Sequence, residues 1–331
     1  MDIKITSPRL KNLLSYEWVK IIVAFIAGIV VWTLLFTTLG TRITVGEEFI
    51  FVIYEDVYTL GDQNKNSKIL SDLKQNGSFS YDVLNTKVSS ITSAGQYTAS
   101  YMLTLRAAAY EGDVMIASDG RAVPVDEKGE DVTGNNPTDK LKSAISTGLF
   151  FDINVFLQRA YGYTVGNGFI KENSDGGYAV NQSEISSYFL TERMSSAGNY
   201  RKTYRTDEQK RQAVENEVKR ITAAYENYLF IKNAIESAKR DGNDFLWYYQ
   251  PVDEEGKAKG EPIAYGIDLY KLNLPFEDKR NIEDDWYVYA GDKTTAEGLV
   301  LCVFNFESEQ ADMQYEALAF LRYMIETYSG Y

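Results

Sequence analysis

The chain has 331 residues, 44% of them hydrophobic, with 34 basic against 47 acidic side chains and a formal net charge of −13. This is the composition of a chain that folds, which excludes global disorder. There is no histidine and a single cysteine, Cys302, which excludes Ser-His-Asp and Cys-His catalysis, histidine-ligated zinc, an intrachain disulfide and a thiolate metal cluster.

The first element is the uncharged run IIVAFIAGIVVWTLLFTTL over 21–39. As a helix its 19 residues cover roughly 28 Å, the hydrocarbon thickness of a bilayer. Tyr16 and Trp18 precede it, where aromatic anchors lie at headgroup level. Residues 1–20 carry Lys4, Arg9, Lys11 and Lys20 against Asp2 and Glu17, a balance of +2, which leaves −15 for the rest of the −13 chain. The positive-inside rule therefore puts the tail 1–20 in the cytoplasm and the long C-terminal part outside the cell. The run is longer than a secretory h-region and TTLGTRI offers no small-x-small cleavage site, so the reading is an uncleaved signal anchor in the cell membrane. The acidic outer part lacks a Lys/Arg cluster and with it the electrostatic footprint of a nucleic-acid binder.

Beyond a short tether, 48–57 (EFIFVIYEDV) predicts a buried strand ending in acids. Residues 62–75 space Ile69, Leu70 and Leu73 as an amphipathic helix closed by Asn76-Gly77. A strand over 81–91, a helix over 95–110 and a short apolar strand over 114–117 complete a βαβαβ pattern, the start of a parallel α/β sheet. Residues 119–140 are a polar connection. Asp126, Glu130 and Asp131 within it miss the calcium-loop spacing and read as a solvated loop. Residues 141–245 read as mostly helical, with the clearest helix over 206–239: Thr206 and Gln209 form a capping box, and Val214, Val218, Ile221, Tyr225 and Tyr228 lie on one face. Paired strands follow at 245–250 and 260–269, then strands at 286–289 and 299–306, and a closing helix over 312–328.

Motifs for chemistry are weak. Gly166-Asn167-Gly168 lacks the third glycine of a nucleotide loop, and Ser71-Asp72-Leu73-Lys74 has no Lys-Thr-Gly partner motif. Acid pairs drawn from Glu55, Asp56, Glu283, Asp284 and Asp285 could flank a glycosidic bond, yet with 47 acids in the chain a solvated surface is the simpler reading. Cys302 within an apolar run reads as a small core hydrophobe. No catalytic residue, metal ligand or cofactor is expected, and the chain reads as a non-enzyme. The 25 tyrosines and the clusters Trp247-Tyr248-Tyr249 and Trp286-Tyr287 suit stacking on sugar rings. In open α/β sheets ligands sit at the carboxyl ends of strands. Asp56 after the first strand, and Ser118 and Asp119 after the third, are therefore the candidate polar contacts, with Trp247 and Trp286 as the stacking rings.

Three stretches, YDVLNTKVSS (81–90), TLRAAAYEGDVMIASD (104–119) and YEALAFLRYMIETY (315–328), set in this order of elements, resemble type II periplasmic solute-binding proteins. The membrane anchor makes the chain similar to the anchored Gram-positive variants. The resemblance implies an α/β architecture: a single N-terminal transmembrane helix followed by a two-lobed periplasmic-binding-protein-like domain. Lobe one would comprise 47–118 and 262–331, and lobe two 119–261. It implies capture of a small solute, with a carbohydrate the expected class, for an import system. The other open reading is a ligand-free scaffold or interaction module of a transporter or envelope-assembly complex.

Overall fold

The computed structural model describes residues 18–20, 22–33, 47–54, 57–59, 65–91, 96–119, 137–194, 204–253, 255–273, 287–289, 298–305 and 316–329. The chain falls into two compact units, Met1–Thr44 and Val45–Tyr331. In the first, residues 18–20 and 22–33 are helical, and Trp18, Phe25 and Trp32 are exposed. Among the described residues no helix is long and apolar enough to cross a membrane. Residues 21 and 34–39 of the apolar run lie outside the described residues.

The second unit is a mixed α/β structure. Its strands and helices run β1 (Glu48–Tyr54), β2 (Val57–Thr59), α1 (Lys65–Gln75), β3 (Asn85–Ile91), α2 (Gln96–Ala108), β4 (Val114–Ser118), α3 (Pro137–Ser146), α4 (Ile153–Tyr161), β5 (Ile170–Glu172), β6 (Tyr178–Val180), α5 (Gln182–Tyr188), α6 (Asp207–Arg240), β7 (Leu246–Tyr249), β8 (Ile263–Asp268), α7 (Leu269–Asn273), β9 (Tyr287–Tyr289), β10 (Leu299–Val303) and α8 (Glu316–Tyr328). Six strands form one sheet in the order β3-β1-β4-β10-β8-β7. β1 pairs in parallel with both β3 and β4, as the βαβαβ pattern predicts. β10 is antiparallel to β4 and to β8, and β7 is antiparallel to β8.

Side-chain alternation gives the sheet two apolar faces. Phe49, Phe51, Ile53, Val114, Ile116 and Leu301 face a core shared with α1, α4, α6 and α8. Ile50, Val52, Met115, Ala117, Val300 and Cys302 face a second core with α2 and α3. Because both faces are covered, β1, β4 and β10 read as continuous apolar runs rather than alternating ones. The 34-residue α6 carries the predicted capping box: the Thr206 hydroxyl accepts from the Gln209 amide at 3.2 Å, and the Gln209 side chain accepts from the Thr206 amide at 3.0 Å.

Several boundaries differ from the sequence reading. β1 stops at Tyr54, and Val57–Thr59 instead pairs with Tyr287–Tyr289 in a separate two-stranded ribbon. β3 begins at Asn85, since Tyr81 and Asp82 lie in a turn in which Val83 N–H donates to the Ser80 carbonyl at 3.2 Å. The middle segment also contains the hairpin β5–β6, absent from the helical expectation. The two-lobed arrangement is not shown. β7, from the 119–261 segment, is an edge strand of the main sheet, and α6 shares the core of β1 and β8.

Cys302 is fully buried in β10, and burial pushes its thiol well above the ordinary range. Thiol reagents are therefore expected to label it only through opening of the sheet, at a rate that rises steeply in denaturant. Labelling of the native protein as fast as a free thiol would contradict this packing. Cys302→Ala should cost about 1 kcal/mol, and Cys302→Asp several, by burying a charge.

Candidate functional site

Strands β1, β3, β4 and β8 run the same way, β8 because it is antiparallel to β10, which is antiparallel to β4. Their carboxyl ends, at Tyr54, Ile91, Ser118 and Asp268, thus share one edge of the sheet. The chain leaves β1 for β3 on one side and reaches β4 on the other, so this edge holds a topological switch point.

Of the five residues picked from sequence, Ser118, Asp119 and Trp247 come together here. Asp119 directly follows β4, and its N–H donates to the Gly298 carbonyl at 2.7 Å. The Trp247 indole Nε1–H donates to Asp119 Oδ2 at 2.7 Å, across 128 residues of chain. Ser118 and Asp119 are each only 6% exposed, whereas Trp247 is half-buried. Trp247 stacks on Tyr249 with ring centroids 6.4 Å apart and planes 12° apart, and Tyr249 meets Tyr265 edge-on at 6.4 Å. All three rings are half-buried beside the second core. Asp119 thus lies beneath the surface and fixes the plane of an aromatic side chain. Asp56 and Trp286 lie outside the described residues. Among the described residues, no group of three His, Cys, Asp or Glu side chains could hold a metal ion.

A second polar constellation was not legible as a site. Glu217 of α6, fully buried, accepts from Arg193 Nη1 at 2.6 Å, from Arg220 Nη2 at 2.9 Å and Nε at 3.2 Å, and from the Tyr81 hydroxyl at 2.7 Å. Arg193 also pairs with Asp82, and Arg220 donates to the Tyr163 hydroxyl. Arg220 Nη1 lies 3.8 Å from Oε1 of Glu316, the first residue of α8. Burial pushes the Glu217 carboxyl up, but the guanidiniums of Arg220 and Arg193 outweigh it and hold the group at about 2. Burial raises the Glu316 carboxyl, and the more distant Arg220 only partly offsets that. One signal was present in the sequence: Glu217 and Arg220 interrupt the apolar face set by Val214, Val218 and Ile221, where a charge needs a buried partner. Their partners Asp82, Arg193 and Glu316 come from distant segments and carry no such mark.

The fold and the edge together define a mixed α/β protein with an aromatic platform at the carboxyl ends of its strands. Comparison of the chain with protein-family models, with curated proteins and with solved structures gave no match.

Proposed function

We propose that this chain is a membrane-anchored, non-enzymatic binding protein whose α/β unit stands outside the cell and takes a carbohydrate at the carboxyl edge of the sheet. The observation that carries the reading is the bond from Trp247 to the buried Asp119, which presents a fixed, half-exposed indole beside Tyr249. A rigid aromatic face loses little entropy on stacking against the apolar face of a sugar ring. Asp119 then acts as a positioning residue, and Asp56 and Trp286 remain the proposed further contacts. In this reading 21–39 crosses the bilayer with the N-terminus in the cytoplasm, and residues of 119–261 supply the second wall of a two-lobed cleft. An import complex in the same membrane would receive the solute.

The test is a melting-midpoint screen of the full chain in detergent against mono- and oligosaccharides, since a ligand that binds only the folded state raises the midpoint. One sugar class should raise it. Trp247→Ala should abolish the rise, and Asp119→Asn should weaken binding roughly tenfold by loosening a charge-assisted hydrogen bond. Protease added to intact cells should digest the outer unit and spare a tag at Met1.

A second reading, a ligand-free interaction module of an envelope complex, is favoured by one feature. Ser118 and Asp119 are 6% exposed, and the Asp119 carboxylate already serves Trp247. A flat response to every sugar, together with cross-linking of the Trp247 face to a membrane partner, would replace the first reading with this one.

A further inference from the structure

A cavity of about 350 Å3 lies in the groove between α4 and α6. From α4 it takes Leu157 and Tyr161, one turn apart, with Gln158 beside them; from α6 it takes Tyr228, Lys232 and Ile235 at the same helical spacing. Leu157, Ile235 and Tyr228 are 7%, 6% and 8% exposed and belong to the main core, so the floor is apolar. Tyr161 is half-buried and held in place. Its hydroxyl donates to Glu172 Oε2 at 2.9 Å, and its ring centroid lies 5.4 Å from that of Tyr228.

Two donors meet above this floor. The Tyr228 hydroxyl, which is not sealed from the surface, makes no hydrogen bond among the described residues. One turn further along α6, the Lys232 ammonium lies 4.0 Å from Glu236 and is drawn toward Glu172 as well. It likewise donates no hydrogen bond among the described residues. The Lys232 and Glu236 side chains are 47% and 64% exposed. An ion pair this open contributes little, so Lys232 can exchange Glu236 for a closer anion at small cost. Lys239, also on the groove, is engaged elsewhere, 6.0 Å above the Tyr248 ring.

We infer that this groove binds a small aromatic carboxylate, its acid group taken by the Lys232 ammonium and the Tyr228 hydroxyl and its ring laid on Leu157 and Ile235 beside the Tyr161 ring. A carboxylate at hydrogen-bond distance from an ammonium makes a charge-assisted bond that Glu236 at 4.0 Å does not. The ring buries apolar surface and meets a fixed aromatic neighbour. The volume is at the small end of the range for small-molecule sites, which suits one ring rather than a polymer. None of these residues belongs to the Asp119–Trp247 edge, so the inference does not depend on the carbohydrate reading.

The experiment is calorimetric titration of the full chain in detergent, with detergent alone as the blank. The probes are 3-phenylpropionate, its neutral amide 3-phenylpropanamide, and butanoate, which lacks the ring. The first should bind with a Kd of about 1 mM or tighter, and each of the others roughly tenfold more weakly or worse. Two substitutions at exposed positions should move the affinity in opposite directions. Lys232→Met keeps the apolar stem and removes the charge, and should weaken binding roughly tenfold. Glu236→Gln removes the competing carboxylate and should tighten binding about threefold. Trp247→Ala should leave it unchanged. No saturable heat from 3-phenylpropionate, an amide that binds as tightly as the acid, full affinity in Lys232→Met, weaker binding in Glu236→Gln, or binding lost in Trp247→Ala would each overturn the assignment.

Discussion

Glu217→Ala is expected to destabilise the α/β unit by about 3–5 kcal/mol, the usual cost of breaking a buried ion pair by deleting one partner. The wild-type carboxylate is fully buried and accepts four hydrogen bonds, three of them from guanidiniums. Without it, the contacts that remain among the described residues include Asp82 for Arg193, and the Tyr163 hydroxyl and the more distant Glu316 for Arg220. Two like charges then face each other in a buried site. Glu217→Gln keeps the volume and some hydrogen bonds but loses the charge, so it should fall between alanine and wild type in urea unfolding. The same group sets an acid limit. Its folded value of about 2 lies below the ordinary 4.5, so its stabilisation is complete above pH 4.5 and is lost as the pH falls through 2. That loss is on the order of 3 kcal/mol in wild type and should be absent from the glutamine variant. A glutamine variant with the stability and acid profile of wild type would show that the network does not hold these segments together.

Gly266→Ala should destabilise by about 1–3 kcal/mol, at the upper end of that range because the obstruction is main chain. A Cβ at this position would stand 2.6 Å from the Leu301 carbonyl oxygen, 2.6 Å from Val300 Cγ1 and 3.2 Å from Cys302 Sγ. The carbonyl belongs to β10 and cannot retreat without disturbing the β8–β10 pairing. Gly266 also lies opposite Trp247, next to the register shift between Trp247 and Tyr248. A displaced β8 should therefore move Trp247 away from Asp119 and change tryptophan fluorescence in the still-folded variant. Gly162→Ala is the contrasting substitution. Gly162 has a right-handed helical backbone and open space around its missing Cβ, so alanine there should be neutral or stabilise by about 0.4–1 kcal/mol. Equal effects at the two glycines in thermal or urea unfolding would contradict the close approach at Gly266.

Local pattern was enough to place most elements of the α/β unit. β1 and β4 were legible because both are short apolar runs bounded by polar or turn residues. α6 was legible because its cap, its apolar face and its Asp241-Gly242 stop all agree. The convergence of Asp119 and Trp247 on one edge was partly legible, since a parallel βαβαβ start fixes where the carboxyl ends point. Their direct bond was not, because no local rule relates residues 128 positions apart.

The sequence by itself determined the chemistry that is excluded, the apolar run at 21–39, the parallel start of the sheet and the capped helix, all of which depend on composition or on neighbours within a few residues. Tertiary structure decided the rest. It ended β1 at Tyr54, because Val57–Thr59 finds a partner in Tyr287–Tyr289. It brought β7 into the main sheet beside β8, so the segment carrying Trp247 adjoins the end of β4. It also gathered Asp82, Arg193, Glu217, Arg220 and Glu316 from a turn, the end of a helical segment and two further helices into one buried cluster. A charge on an apolar face signals that a partner must exist, but the partner's identity depends on how helices and turns pack around it.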